Sequence, residues 1–109
     1  METYFEPKQL ASMIVINNCP YGAVKRYTEL FQIEGAEDYG FFYGKAKNKI
    51  FILSGEHKAV AAYYLEIQIS GFELSLDHTW TDERIENYIK NRTTLLENVN
   101  MLIKSKGHF

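Results

Sequence analysis

Between Tyr63 and His78 the chain reads YYLEIQISGFELSLDH, with apolar and polar side chains alternating on either side of Ser70-Gly71. Folded about that dipeptide, the segment pairs Ile69 with Phe72, Ile67 with Leu74, Leu65 with Leu76 and Tyr63 with His78 on one face. The other face receives Gln68 with Glu73, Glu66 with Ser75 and Tyr64 with Asp77. Side chains of a strand alternate between faces, so a slip of one residue would turn the whole apolar set into water. The pattern predicts a β-hairpin with one wet face and one face that needs a lid.

A lid follows directly. Thr81 is placed to cap a helix, with Asp82 and Glu83 in a first turn where negative charge suits the helix dipole. Trp80 and Ile85 stand at the two positions of a hydrophobic staple. Ile85, Tyr88, Ile89, Leu95, Leu96, Val99, Leu102 and Ile103 then continue one apolar stripe. This predicts a single amphipathic helix over residues 81–106, roughly 36 Å long at about 1.5 Å per residue. Such a helix overhangs a short strand, and its far end needs a cover. The N-terminal helices supply one cover; the same helix of a second copy, in a homodimer, is the alternative. Arg92 falls within the stripe. Its stem packs at the stripe edge while its head reaches water, or its guanidinium is semi-buried and requires a carboxylate or an anionic ligand.

Upstream, Pro7 suits the first turn of a helix that carries Leu10, Ala11, Met13 and Ile14, although Ile14-Val15-Ile16 is β-branched and also fits a strand. Pro20 and Gly22 mark a break. Ala23, Val24, Tyr27, Leu30 and Phe31 predict a second helix over 23–33, stopped at Gly35. Residues 41–45 and 50–54 read as strands joined through Ala46-Lys47-Asn48-Lys49. The stretch 56–64 fits either a helix capped by Ser54 or the early part of the next strand, and the hairpin register favours strand. The expected fold is α+β in a single domain, 1–109. It has two helical segments in 1–34, an antiparallel sheet of about four strands in 39–78, and the 81–106 helix packed on one sheet face.

Composition narrows the function classes. A net charge of −2 argues against general nucleic-acid binding. Cys19 is the lone cysteine, which excludes an internal disulfide and a cysteine-based zinc site and suits a reducing cytoplasm. Followed by Pro20, it reads as an inert structural thiol rather than a nucleophile. The opening residues METYFEPK lack the basic start and apolar run of a signal peptide, and the longest apolar run, Ala59–Leu65, is too short for a membrane. His57, His78 and His108 share no metal-ligand spacing, and no phosphate-binding glycine motif is present, so neither metal nor cofactor is expected.

Three sets of side chains remain as candidates. The first is acidic and suits a protein partner: Glu66, Glu73, Asp77 and Glu83 with Tyr64, extended by Asp82 and Glu86. Arg92, His78 and Tyr63 form the second, the polar groups of a pocket between helix and sheet, where Asp77, His78 and Tyr63 together have the groups for acid–base work. The third is the basic tip Lys45, Lys47 and Lys49, with Lys58, beside Phe41, Phe42 and Tyr43. Basic residues interleaved with aromatics grip single-stranded nucleic acid, and they also keep a hairpin soluble. The surplus of tyrosine and the lack of catalytic motifs favour a small non-enzymatic protein-binding module. An inhibitor, immunity or accessory protein of a bacterium or phage fits that description. A small-molecule-binding domain or small enzyme is the alternative, and a nucleic-acid binder the third.

Overall fold

The computed structural model describes residues 2–109. Six strands, β1 (Glu2–Phe5), β2 (Ile14–Val15), β3 (Gly40–Ala46), β4 (Lys49–Ser54), β5 (Ile69–Glu73) and β6 (Thr93–Thr94), form one mixed sheet in the order β1-β5-β3-β4-β2-β6. Five helices accompany them: α1 (Pro7–Leu10), α2 (Tyr21–Glu34), α3 (Glu56–Tyr64), α4 (Asp82–Asn91) and α5 (Leu95–Lys106). The class is α+β, as the alternating patterns imply, but the sheet is larger and mixed. Strands β3/β5 and β2/β4 pair in parallel, the others antiparallel. No described helix is long and apolar enough to cross a membrane.

The sheet separates two cores. Phe5, Leu10, Phe31, Phe41, Tyr43, Ile52, Val60, Ile69 and Leu95 pack on the first face under α1, α2, α3 and α5. Ile14, Phe51 and Ile85 pack on the second, with Trp80, Tyr88 and Ile89, under α4. The expected N-terminal pair of helices is replaced by a strand, a single helical turn and a further strand before α2. Ile14 and Val15 face opposite cores, so a β-branched pair buried on both sides favours an inner strand over a helix. The β3–β4 hairpin forms as expected, through Lys47 and Asn48, both at positive φ. Gly35, at φ 78, ends α2.

Three expectations fail for identifiable reasons. The hairpin about Ser70-Gly71 does not exist, and both residues lie in the middle of β5. Gly71 is there for close approach rather than for a turn, because a Cβ would sit 2.9 Å from ring atoms of both Phe5 and Phe41. Tyr63 and Tyr64 belong to α3, since the buried run Ala59-Val60-Ala61-Ala62 provides the small side chains that let a helix lie close to the sheet and α2. The 81–106 helix is two helices. Arg92 leaves the helical conformation, Thr93 and Thr94 pair with Val15 and Ile14, and Thr94 forms a reciprocal capping box with Glu97 that starts α5. The next two amides donate into the chain before β2, Leu95 to the Met13 carbonyl at 2.8 Å and Leu96 to that of Ala11 at 3.1 Å. Leu102 and Ile103 pack onto the first core, so the end of the stripe is covered within the chain.

Candidate functional site

Cross-pairing divides the charged sets. Lys47 Nζ donates to Glu86 Oε1 at 2.7 Å and lies 3.9 Å from Asp82; Lys45 lies 3.8 Å from Glu73. The hairpin tip is thus clamped onto the first turns of α4. The hydrogen bond with Glu86 holds the Lys47 ammonium above its ordinary value, and the same bond holds the Glu86 carboxyl below the usual carboxylate range. Lys49 is exposed at the start of β4, beside the turn. Lys58 lies on α3, beneath the first face, 6.0 Å from the centroid of the Tyr27 ring. The four lysines do not form one basic surface.

The proposed Arg92, His78 and Tyr63 group is also dispersed. His78 is exposed in the loop that follows β5. Asp77 beside it accepts from the Thr79 amide and hydroxyl, which hold its carboxyl below the usual range, so it organises the loop. Tyr63 lines a cleft of about 550 Å³ between α1, α3 and α5, together with Tyr64, Glu66, Lys8, Val99 and Ile103. Two residues expected on a partner surface, Tyr64 and Glu66, therefore meet one expected in a pocket. Glu66 sits at φ 59 just beyond α3, where the Ile67 amide closes a turn onto the Ala62 carbonyl. Glycine ordinarily takes that left-handed position. Tyr64 also touches the chain end, its hydroxyl 3.0 Å from His108 Nδ1 and its ring against Phe109. Glu83 is exposed on the outer side of α4. Cys19 is buried, and burial first, then the Glu56 carboxylate, pushes its thiol up to about 12, which removes it as a nucleophile at neutral pH. No metal-ligating cluster of three or more His, Cys, Asp or Glu occurs among the described residues.

A further candidate surface, outside the three sets read from the sequence, lies on the second sheet face. Helix α4 covers only its β4-β2-β6 half. On the other half, strand alternation turns Tyr4, Phe42 and Phe72 outward, opposite the buried Phe5, Phe41 and Gly71. The Phe42 and Phe72 rings lie 5.9 Å apart and remain 42% and 37% exposed; Tyr4 is 53% and Leu74, just past β5, 45% exposed. Glu2 stands opposite Phe72 at the sheet edge. Glu73, in register with the inward-facing Tyr43, turns to the other face and pairs with Lys45, and Asp77 lies four residues beyond β5 in the following loop. A signal for it exists in the sequence: three successive aromatics in one strand, Phe41-Phe42-Tyr43, cannot all face the same core. No protein-family model, curated protein or solved structure matches the chain.

Proposed function

We propose that the protein is a non-enzymatic protein-binding module and that the open β1-β5-β3 half of the second sheet face is its docking surface. The observation that carries this reading is the contiguous patch of Tyr4, Phe42, Phe72 and Leu74, left in water on an otherwise covered sheet. Aromatic side chains at the centre of a patch with a polar rim match the anatomy of protein interfaces. Glu2 opposite Phe72 at the sheet edge favours a partner with an apolar centre and a basic flank. The pairing of Lys45 and Lys47 with α4 and Glu73 leaves the hairpin tip little free charge for phosphates, which weighs against a nucleic-acid partner.

A photo-crosslinking amino acid placed at Phe42 or Phe72 in the cell of origin tests the reading. The expected result is one discrete heterologous adduct from either position and none from Ile33, an exposed apolar residue on α2. Adducts of equal yield from all three positions, or none, end the proposal. An adduct with the mass of two copies replaces it with self-association.

A further inference from the structure

The break between α4 and α5 creates a second, chemically different cavity of about 390 Å³, lined by Asn17, Asn18, Asn91, Arg92, Thr93 and Asn98 with Val15, Ile16 and Met101. Its size falls within the roughly 300–1,000 Å³ usual for small-molecule sites. We propose that it binds a small hydroxylated oxyanion, a sugar acid or sugar phosphate, with Arg92 holding the anionic group and the asparagine amides reading the hydroxyls.

Arg92 is pre-set for this. Its Nε donates to the Ile16 carbonyl at 3.2 Å, and the guanidinium lies 5.5 Å from the centroid of the Tyr88 ring. Both contacts fix the plane of the fork. Its terminal nitrogens make no hydrogen bond, and no carboxylate approaches within the 4.0 Å of an ion pair, among the described residues. Arg84 shows the contrast: its terminal nitrogens are engaged by Thr79 and Tyr88. A planar guanidinium with a free edge is matched to two oxygens of a carboxylate or phosphate.

The walls carry no acid that would repel such a group. They carry amides, which both donate and accept. Asn91 donates to the Asn87 side chain, which fixes its orientation and leaves its own oxygen able to accept. Asn98 lines the cavity and has a side-chain oxygen that is shielded from water yet receives no hydrogen bond. A turn of the amide brings this oxygen into the cavity, where a ligand hydroxyl is the donor it lacks. Apolar ligands gain little from walls of this kind, and a bare inorganic anion would leave most of the amides unused.

The test is an NMR titration of the full chain, observing the side-chain amide signals of Asn98 and Asn91 and the Arg92 Nε–H. The probes are glucuronate, glucose 6-phosphate, glucose and inorganic phosphate, at constant ionic strength. At least one of the two anionic sugars is expected to shift all three signals, and which one responds identifies the anionic group. Glucose should bind about 10- to 100-fold more weakly, the loss expected for one charge-assisted contact. Arg92→Gln should weaken the anionic sugar by a similar factor. Asn18→Ala, an exposed change, keeps the test valid if Arg92→Gln does not fold, and should also reduce affinity. Unchanged signals with all four probes overturn the proposal. Inorganic phosphate binding as tightly as the sugar phosphate, with no response to glucuronate, overturns the role of the hydroxyls.

Discussion

The two halves of the second sheet face are built from similar residues and finished differently. Under α4, Phe51 is fully buried against Trp80 and Tyr88, with ring centroids 5.6 and 6.4 Å away. Beyond the reach of α4, Phe42 and Phe72 make a comparable aromatic pair and stay in water. Residue type therefore does not decide which half is covered. What decides it is where the helix after β5 lands, and that is set by the Trp80–Ile85 staple, by the Lys47 clamp and by Leu76 lying over Gly44. An aromatic pair that the chain could cover and does not is the surface available to something else.

The largest effect that can break this contrast is in the covered half. Phe51→Ala should cost about 3–5 kcal/mol in chemical denaturation, as a large cavity in a packed core. Phe42→Ala and Phe72→Ala should cost only about 1 kcal/mol each, because much of each ring already lies in water. Equal losses at all three positions would mean that the open half is covered in solution.

Next in size is Gly71→Ala, which acts on the open half from its opposite face. The new methyl meets the Phe5 and Phe41 rings, and a loss of about 1–3 kcal/mol is expected. Full stability in this variant would show that the two aromatic rings yield freely and that Gly71 is not kept for close approach.

Gly44→Ala addresses the border between the halves. Its Cβ would overlap Leu76 Cδ2, but Leu76 is only half-buried and can move aside. A loss of about 1 kcal/mol is expected, with increased amide exchange in the loop 74–80. Increased exchange spread equally over α2 and α3 would refute a border role.

The smallest effect belongs to the Lys47–Glu86 clamp, which is exposed to solvent. The Glu86 carboxyl is lowered in the fold, so its contribution is present above the ordinary carboxylate value and is lost as pH falls through the lowered one. Lys47 is raised, so its share is present below the ordinary lysine value and is lost as pH rises through the raised one. Between those limits the hairpin tip should stay docked. Amide exchange at Lys47 and Asn48 should rise at either extreme, and Glu86→Gln should abolish the acid-side change.

The same comparison explains what was legible in the sequence. Features stated by neighbouring residues came through: the β3–β4 hairpin, the body of α2, the Thr81 cap and the Trp80–Ile85 staple. Features that depend on distant partners did not. Glu2–Phe5 carries no local strand pattern and becomes a strand only because β5 lies beside it. Gly71 resembles a turn residue until Phe5 and Phe41 are placed against it. The break at Arg92 was within reach, since Thr94 and Glu97 have capping-box spacing, but an apolar stripe that keeps its phase across the interruption concealed it. The charged sets were sound as local observations and misleading as surfaces, because oppositely charged blocks found each other across the fold. Phe42 and Tyr63 carry local cues for other roles. Their actual settings follow from which elements cover them, and periodicity alone does not reveal that.

Among the described residues, β3 and β4 alone are both consecutive in the chain and adjacent in the sheet. Every other adjacency closes a long loop, and chain closure of that kind slows folding. The central hairpin should therefore nucleate assembly, with β5 and β2 added next and the outermost strands last. Synthesis from the N-terminus deepens this order. When β1 leaves the ribosome it has no partner until β5 follows, whereas β2 can join β4 as soon as the central hairpin is made and lacks only its outer neighbour until β6, so β1 is the strand that waits longest unpaired.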